Sequence, residues 1–347
     1  MSIIFENSEL TGSGIKSVIP DYVMSFSEAA LFVAEASSVD YNNLMESIGV
    51  EELAVYESTG MEIVYEGERL DNFKEKIVNF FKKIWESIKE FFEKILNWFE
   101  EKRKEVVKKM GAKINAADLK NLPENTVFGR MHDYGNFKDE ADKIEKNTDS
   151  FVKDVCSKFE DVCRGVNETD KESKSKALQD GDRLKEELSG KVVKEISGTS
   201  ATSIDEAKKA LEKKLIGTEF EVNKNNIGKY LPGLLEITTA GKVNSSIKTL
   251  YKSNKKMIDD AIGRARKYTD SRAICAGKEV FVYREIMTCS TALTGKIMDI
   301  YKKLFTESRS VLVKVYFKAG KIKKVNESFY GSIVDDQINL VESILNF

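Results

Sequence analysis

Histidine is almost missing from this chain of 347 residues; the one it has is His132. His132 lies in the loop-like stretch FGRMHDYGNF and reads as a surface or turn residue, so neither a histidine-based catalytic triad nor a multi-histidine metal site is expected. Cysteine is scarce too. Cys156 and Cys163 stand seven residues apart on one helix face, with Cys275 and Cys289 far away, a spacing that makes neither a disulfide framework nor a zinc signature. They read as reduced, buried thiols in a reducing compartment. Only 3 prolines are present, which favours long helices. No apolar run approaches the roughly 18 residues that would span a membrane. The opening MSIIFENSELTGSG has no basic or apolar region of a secretory signal. Nucleophile-elbow, dinucleotide, Walker, zinc-protease, EF-hand and kinase patterns are missing, and GSGIKS at 12–17 has the wrong spacing for a phosphate loop. Paired carboxylates are plentiful but sit in mixed-charge helices, where solvation explains them. The expectation is a non-enzymatic protein without cofactor or metal.

Charge and helical pattern are what the sequence has in quantity. Charged residues make up 32% of the chain and hydrophobic ones 41%, enough to bury a core. The net charge of −2 hides a strong asymmetry. Residues 1–70 hold two basic residues against 13 acidic ones, a balance of −11; residues 245–330 hold 19 against 8, a balance of +11. The two ends therefore present opposite fields.

The strongest pattern runs from Asp71 to Met110. Ile77, Phe81, Ile84, Ile88, Phe91, Ile95 and Trp98 recur at 4-3-4-3-4-3 spacing, a heptad seam widened by Phe80, Trp85, Phe92 and Phe99. Pairs such as Glu90 with Lys94 support a helix on the other face. The seam is open to two readings: core packing or self-association, and a helix lying in a membrane interface. The interleaved glutamates favour the first, since interfacial helices carry mainly basic polar faces.

Further helices are expected over 26–38, 41–49, 137–166, 204–216, 242–268, 278–317 and the closing ESFYGSIVDDQINLVESILNF, with Ser203 and Glu206 forming a capping box and Gly217 closing that helix. LAVYEST and EIVYEGE read as short extended segments, 111–136 as an irregular connector with a short strand, and 167–182 as an exposed helix or linker. TEFEVNKNNIGKYL reads as a break, punctuated by Pro232-Gly233, and SRSVLVKVYFKAGK as a continued helix. The fold class is mostly α, with elongated bundles of long amphipathic helices and a small irregular N-terminal region. Four regions are expected: an acidic one at 1–66, a long-helix domain at 67–166, a polar segment at 167–240 and a basic helical domain at 241–347. In the last, Arg264, Arg266, Lys267, Arg272, Lys302, Lys303, Lys321, Lys323 and Lys324 form a candidate surface for non-specific phosphate contact.

Two groups of segments carry a resemblance. YNNLMESIGVEELAVYESTGMEIVYEGE followed by KIVNFFKKIWESIKEFFEKI, and RARKYTDSRAICAGK with SRSVLVKVYFK, resemble virion structural proteins of large contractile-tailed bacteriophages; residues 165–240 carry no such likeness. The resemblance implies a protein made in the host cytoplasm and carried in the particle, inside the head. There it would pack against other virion proteins, associate with itself and touch DNA without sequence preference. It also implies processing by a prohead protease that cuts after a glutamate with an apolar residue two positions earlier. VAE, LME, VYE and VYE place such cuts after Glu35, Glu46, Glu57 and Glu66, each followed by a small residue. Removing the acidic head would unmask the basic body. The rival expectation is a membrane-active protein whose 72–100 helix enters a bilayer interface during DNA delivery. On the processing reading, intact-mass spectrometry of the assembled protein finds a terminus at Ser58 or Gly67; a terminus at Met1 defeats it.

Overall fold

The computed structural model describes residues 17–21, 23, 25–59, 68–110, 114, 116–164, 166, 170–239 and 243–321. Among them ten helices and two strands follow in the order α1 (Phe26–Thr59), α2 (Glu68–Lys109), α3 (Ala116–Lys120), β1 (Val127–Tyr134), α4 (Phe137–Cys163), α5 (Lys171–Ser189), α6 (Val192–Ser197), α7 (Ile204–Leu215), β2 (Ile216–Asn223), α8 (Ile227–Thr239), α9 (Val243–Ala265) and α10 (Asp270–Lys318). The mostly helical class and its bundled long helices are as expected. The closing helix expected after Lys321 lies outside the described residues.

The chain divides into two compact units, each assembled from three separate segments. The first comprises 1–95, 136–213 and 246–299. Its centre is the first part of α10, where Cys275, Ala276, Val280, Val282, Tyr283, Ile286, Cys289 and Ile297 are buried. Ser290, Thr291, Ala292, Leu293 and Thr294 are buried one after another as well, and consecutive residues cover the whole circumference, so this stretch is a helix surrounded by others rather than one facing a single layer. Close approach requires small side chains. A Cβ on Gly295 would stand 2.6 Å from the carbonyl oxygen of Phe26, and one on Gly181 would stand 2.8 Å from Cys275 Sγ. Around this core lie the seam of α2, whose Phe81 ring meets Tyr283 edge-on at 6.3 Å and whose Phe92 meets Tyr251 at 5.4 Å, and the buried stripe of α4 formed by Ile144, Phe151, Val155 and Phe159. Burying each of these large side chains contributes roughly 1.5–3 kcal/mol.

The sequence reading differs from the structure in the first unit at three places. The two short helices and the extended LAVYEST are one helix, α1, because Phe26, Ala30, Val33, Ser37, Leu44 and Ile48 form a continuous buried stripe across the expected break. Its start is held by Asp299. That carboxylate accepts the Phe26 and Ser27 N–H groups, each at 2.8 Å, and the Ser25 hydroxyl at 2.9 Å. Glu90 and Lys94 do not pair with each other. Glu90 accepts the Val18 and Ile19 N–H groups at 3.0 Å, and Lys94 donates to the Pro20 carbonyl at 2.8 Å. At the α7 capping box the Ser203 half is as read, its hydroxyl accepting the Glu206 N–H at 3.2 Å, while the Glu206 carboxylate reaches past Ser203 to the Thr202 N–H and hydroxyl.

The second unit comprises 96–135, 214–245 and 300–347. It contains the two-stranded antiparallel sheet of β1 and β2, with Met131 opposite Phe220 and a register shift at Gly129, whose φ of 147° suits only glycine. The stretch read as a break is thus a strand. Gly217 sits inside β2 against Asp133, where a Cβ would stand 3.1 Å from that side chain. Pro232 lies inside α8 rather than ending a segment. His132, expected at a surface turn, is a half-buried residue of β1. Its Nδ1 lies 2.9 Å from Glu307 Oε1, and Glu307 Oε2 accepts the His132 N–H at 3.1 Å and the Tyr134 hydroxyl at 3.0 Å. Trp98, Phe99, Tyr301 and Phe305 form edge-on aromatic pairs with centroids 4.8–5.8 Å apart.

Two substitutions test the seat of α1. Gly295→Ala is expected to lower stability by about 1–3 kcal/mol through the clash with the Phe26 carbonyl, and Asp299→Ala by about 2 kcal/mol through loss of the cap. Denaturant midpoints read both. A neutral Gly295→Ala would show that α1 does not sit at this distance from α10.

Candidate functional site

Three helix ends in the first unit converge on a cleft of about 400 Å³. The end of α4 supplies Glu160, Cys163 and Arg164. The end of α9 and the turn after it supply Arg264, Lys267, Tyr268 and Thr269, and the first turn of α10 supplies Ser271 and Arg272. Four cations therefore face one glutamate along its wall. Arg164 and Arg264 stand at helix C-termini, where cations complement the partial negative charge of unpaired carbonyls. The first turn of α10 brings the opposite end of a dipole to the same place, with main-chain N–H groups that have no partner within their own helix. Thr269 caps this turn, its hydroxyl accepting the Arg272 N–H at 3.4 Å.

Behind the wall lies a buried ionic cluster. Glu279 has no exposed surface, and Arg272 is 8% exposed. Arg272 Nη2 donates to Glu279 Oε1 and Oε2 at 3.0 and 2.9 Å, and the Tyr268 hydroxyl donates to Oε2 at 3.1 Å. Burial pushes the Glu279 carboxyl above the usual range, and the Arg272 guanidinium pulls it back. Burial likewise raises the Tyr268 phenol well above its ordinary value. Arg264 lies over the Tyr283 ring, its Cζ 4.8 Å from the centroid. Neither arginine is saturated: Arg272 Nη1, Arg264 Nε and Arg264 Nη2 are buried without a hydrogen-bond partner. A buried, unsatisfied donor typically costs about 1–3 kcal/mol, so these groups call for an acceptor.

The thiols around the cluster differ. Burial pushes Cys156 up to about 11, and its Sγ donates to Glu160 Oε1 at 3.3 Å. A hydrogen bond from Cys275, with Arg272 close by, holds Cys163 below its usual value against burial. Among the described residues no group of three or more histidine, cysteine or carboxylate side chains is placed to hold a metal. The chemistry the cleft offers is electrostatic: it can hold a compact anion.

The candidate residues named from sequence scatter differently from the expectation. Arg264, Lys267 and Arg272 come together here, with Arg266 exposed beside them. Lys302, Lys303 and Lys321 belong to the second unit; Lys302 Nζ lies 5.0 Å from the Trp98 ring centroid, and Lys321 pairs with Asp118 at 3.2 Å. Lys323 and Lys324 lie outside the described residues. The seam residues Ile77, Phe81, Ile84, Ile88, Phe91 and Ile95 are buried in the first unit's core, and Trp98 is half-buried in the second. Glu35 and Glu46 are exposed on α1 and Glu57 falls in its last turns, while Glu66 lies outside the described residues. Arg164 and Glu279 were not singled out from sequence. The seven-residue spacing of Arg272 and Glu279, two turns of one helix, was the signal available for the second; nothing in the sequence links Arg164 to them.

No family model, no curated protein and no solved structure matches this chain. The site therefore stands on its own geometry.

The buried pair generates a pH-dependent expectation. Arg272→Gln strands Glu279 and is expected to cost about 3–5 kcal/mol at pH 7. Because burial holds the folded-state Glu279 value above the unfolded one, the neutral acid favours folding below about pH 4.3, and that contribution fades as pH rises through the folded value. Removing Arg272 raises the folded value further, so the deficit should shrink when stability is measured at pH 5. An equal deficit at both pH values would show that the charge of Glu279 is not the cause.

Proposed function

We propose that this chain is a non-enzymatic structural protein that works by helical packing and by charge, of the kind found inside tailed-phage particles. On this reading its basic residues contact nucleic-acid phosphates without reading sequence. One observation carries the reading: Arg164, Arg264, Lys267 and Arg272 converge on a cleft whose buried arginine donors have no acceptor in the protein. Phosphate is the anion a guanidinium fork and a helix N-terminus both recognise. Phage origin, placement in the head and packing against other virion proteins come from the resemblance of the quoted segments.

The packing of α1 bears on processing. Its buried stripe and the Asp299 cap fasten it into the first unit. A cut after Glu57 or Glu66 would then nick the chain and leave α1 seated, rather than strip an acidic mask from a basic body. The membrane reading has no comparable support, since the apolar face of α2 that it needs is buried. No helix among the described residues is long and apolar enough to cross a membrane.

Fluorescence anisotropy with single- and double-stranded DNA tests the reading. Affinity should fall linearly with the logarithm of salt, with a slope of about −0.7 to −0.9 per phosphate contacted, and be indifferent to sequence. Arg266→Glu with Lys267→Glu should weaken it by about tenfold and flatten the slope by one to two contacts. Absence of binding in dilute salt would defeat the nucleic-acid part of the proposal.

A further inference from the structure

We propose that the cleft at the start of α10 is a specific site for one phosphate dianion, either inorganic phosphate or the terminal phosphate of a polynucleotide. The polynucleotide source rests on the reading above; the site itself does not. Two features converge on it. Arg272 lines the cleft while more than nine-tenths buried, fixed by Nη2 to Glu279 and left with Nη1 unpartnered. Arg264, clamped over Tyr283, brings two further N–H groups that meet no acceptor. Both arginines stand beside the first turn of the 49-residue α10, where the Thr269 hydroxyl and carbonyl take up the Arg272 and Ala273 N–H groups.

The rest of the wall suits a dianion. Lys267 is exposed at the rim, where it can close on an entering charge, and Arg164 is exposed beside it with Nη2 2.9 Å from Asp161 Oδ1. Thr269 accepts from the Arg272 N–H, which leaves its hydroxyl proton to donate. Glu160 is the one acid in the wall, and its Oε1 already accepts the Cys156 thiol. Glu279 is sealed behind Arg272, so it orients the guanidinium without facing the ligand. A cleft of about 400 Å³ has room for one phosphate and its waters. It sits at three helix ends and is not an extended groove of the kind that tracks a strand. Phosphate is therefore held as an end group, and the helix ends fix its position before it arrives.

The test uses the full chain and sodium phosphate, followed by calorimetry and ³¹P line broadening, with sodium chloride at matched ionic strength as the control. Saturable binding to phosphate beyond chloride is expected. Arg264→Gln should weaken it by at least about tenfold and Lys267→Ala by about threefold; both leave the Arg272–Glu279 pair intact, so their folding can be checked by their thermal midpoints in chloride. Unchanged phosphate binding in both folded variants, or no saturable binding by the native chain, overturns the site. Single strands of one sequence then separate the sources. If the 5′-phosphorylated strand displaces phosphate and the 5′-hydroxyl strand does not, the cleft takes polynucleotide ends. If neither strand binds anywhere while phosphate does, the site stands with the free ion as ligand and the nucleic-acid reading fails. Strand binding that survives Arg264→Gln, with no phosphate binding, leaves that reading standing and removes the cleft.

Discussion

The first unit depends on one constraint: no residue of α10 from Ser271 to Asp299 is exposed, so each neighbour must approach it closely and a carboxylate on it needs partners inside the protein. The first demand is met by small residues. Gly295 lets the start of α1 lie against the helix, and Gly181 lets α5 do the same near Cys275. The second demand is met at two charged points. Asp299 is answered by the start of α1, and Glu279 by Arg272 and Tyr268. A fully buried carboxylate without such partners would be neutral or would prevent folding.

The same arrangement produces the cleft. Arg272 is held by the charge it neutralises, which fixes one face of the guanidinium toward Glu279 and leaves Nη1 without an acceptor. Arg264 is held by an aromatic face rather than by a carboxylate, and it too keeps unsatisfied donors. Two cations thus stay fixed beside a helix N-terminus, with Glu160 the one acid in the wall. Such a site attracts anions by position and not by net charge, since the chain as a whole carries −2.

Much of the helical framework was legible because its signal is local. The seam from Ile77 to Ile95 repeats at heptad spacing, and the structure buries all six of its members there. The capping residues of α7 were visible for the same reason. Two features failed for opposite reasons. The break expected after Ser38 ignored a buried stripe that continues through Leu44 and Ile48, so weak helix formers outweighed the periodicity in the reading. The strands β1 and β2 lie almost ninety residues apart, and neither alternates strongly, so their pairing has no local signature. His132 was misplaced with them, because its partner Glu307 comes from α10.

By itself the sequence determined the helical class, the faces that would be buried, the near-absence of histidine and the opposition of an acidic N-terminal stretch to a basic C-terminal one. Those properties follow from composition and from periods of a few residues. Only the tertiary structure decided which of the basic residues come together. Arg164, Arg264, Lys267 and Arg272 come from the ends of three helices, and Lys302 and Lys321, expected beside them, are engaged in the second unit. It also decided that Glu90 and Lys94 hold the segment at 17–20 instead of each other. Side-chain partners across long sequence separations are chosen by packing geometry, which a linear pattern does not encode residue by residue.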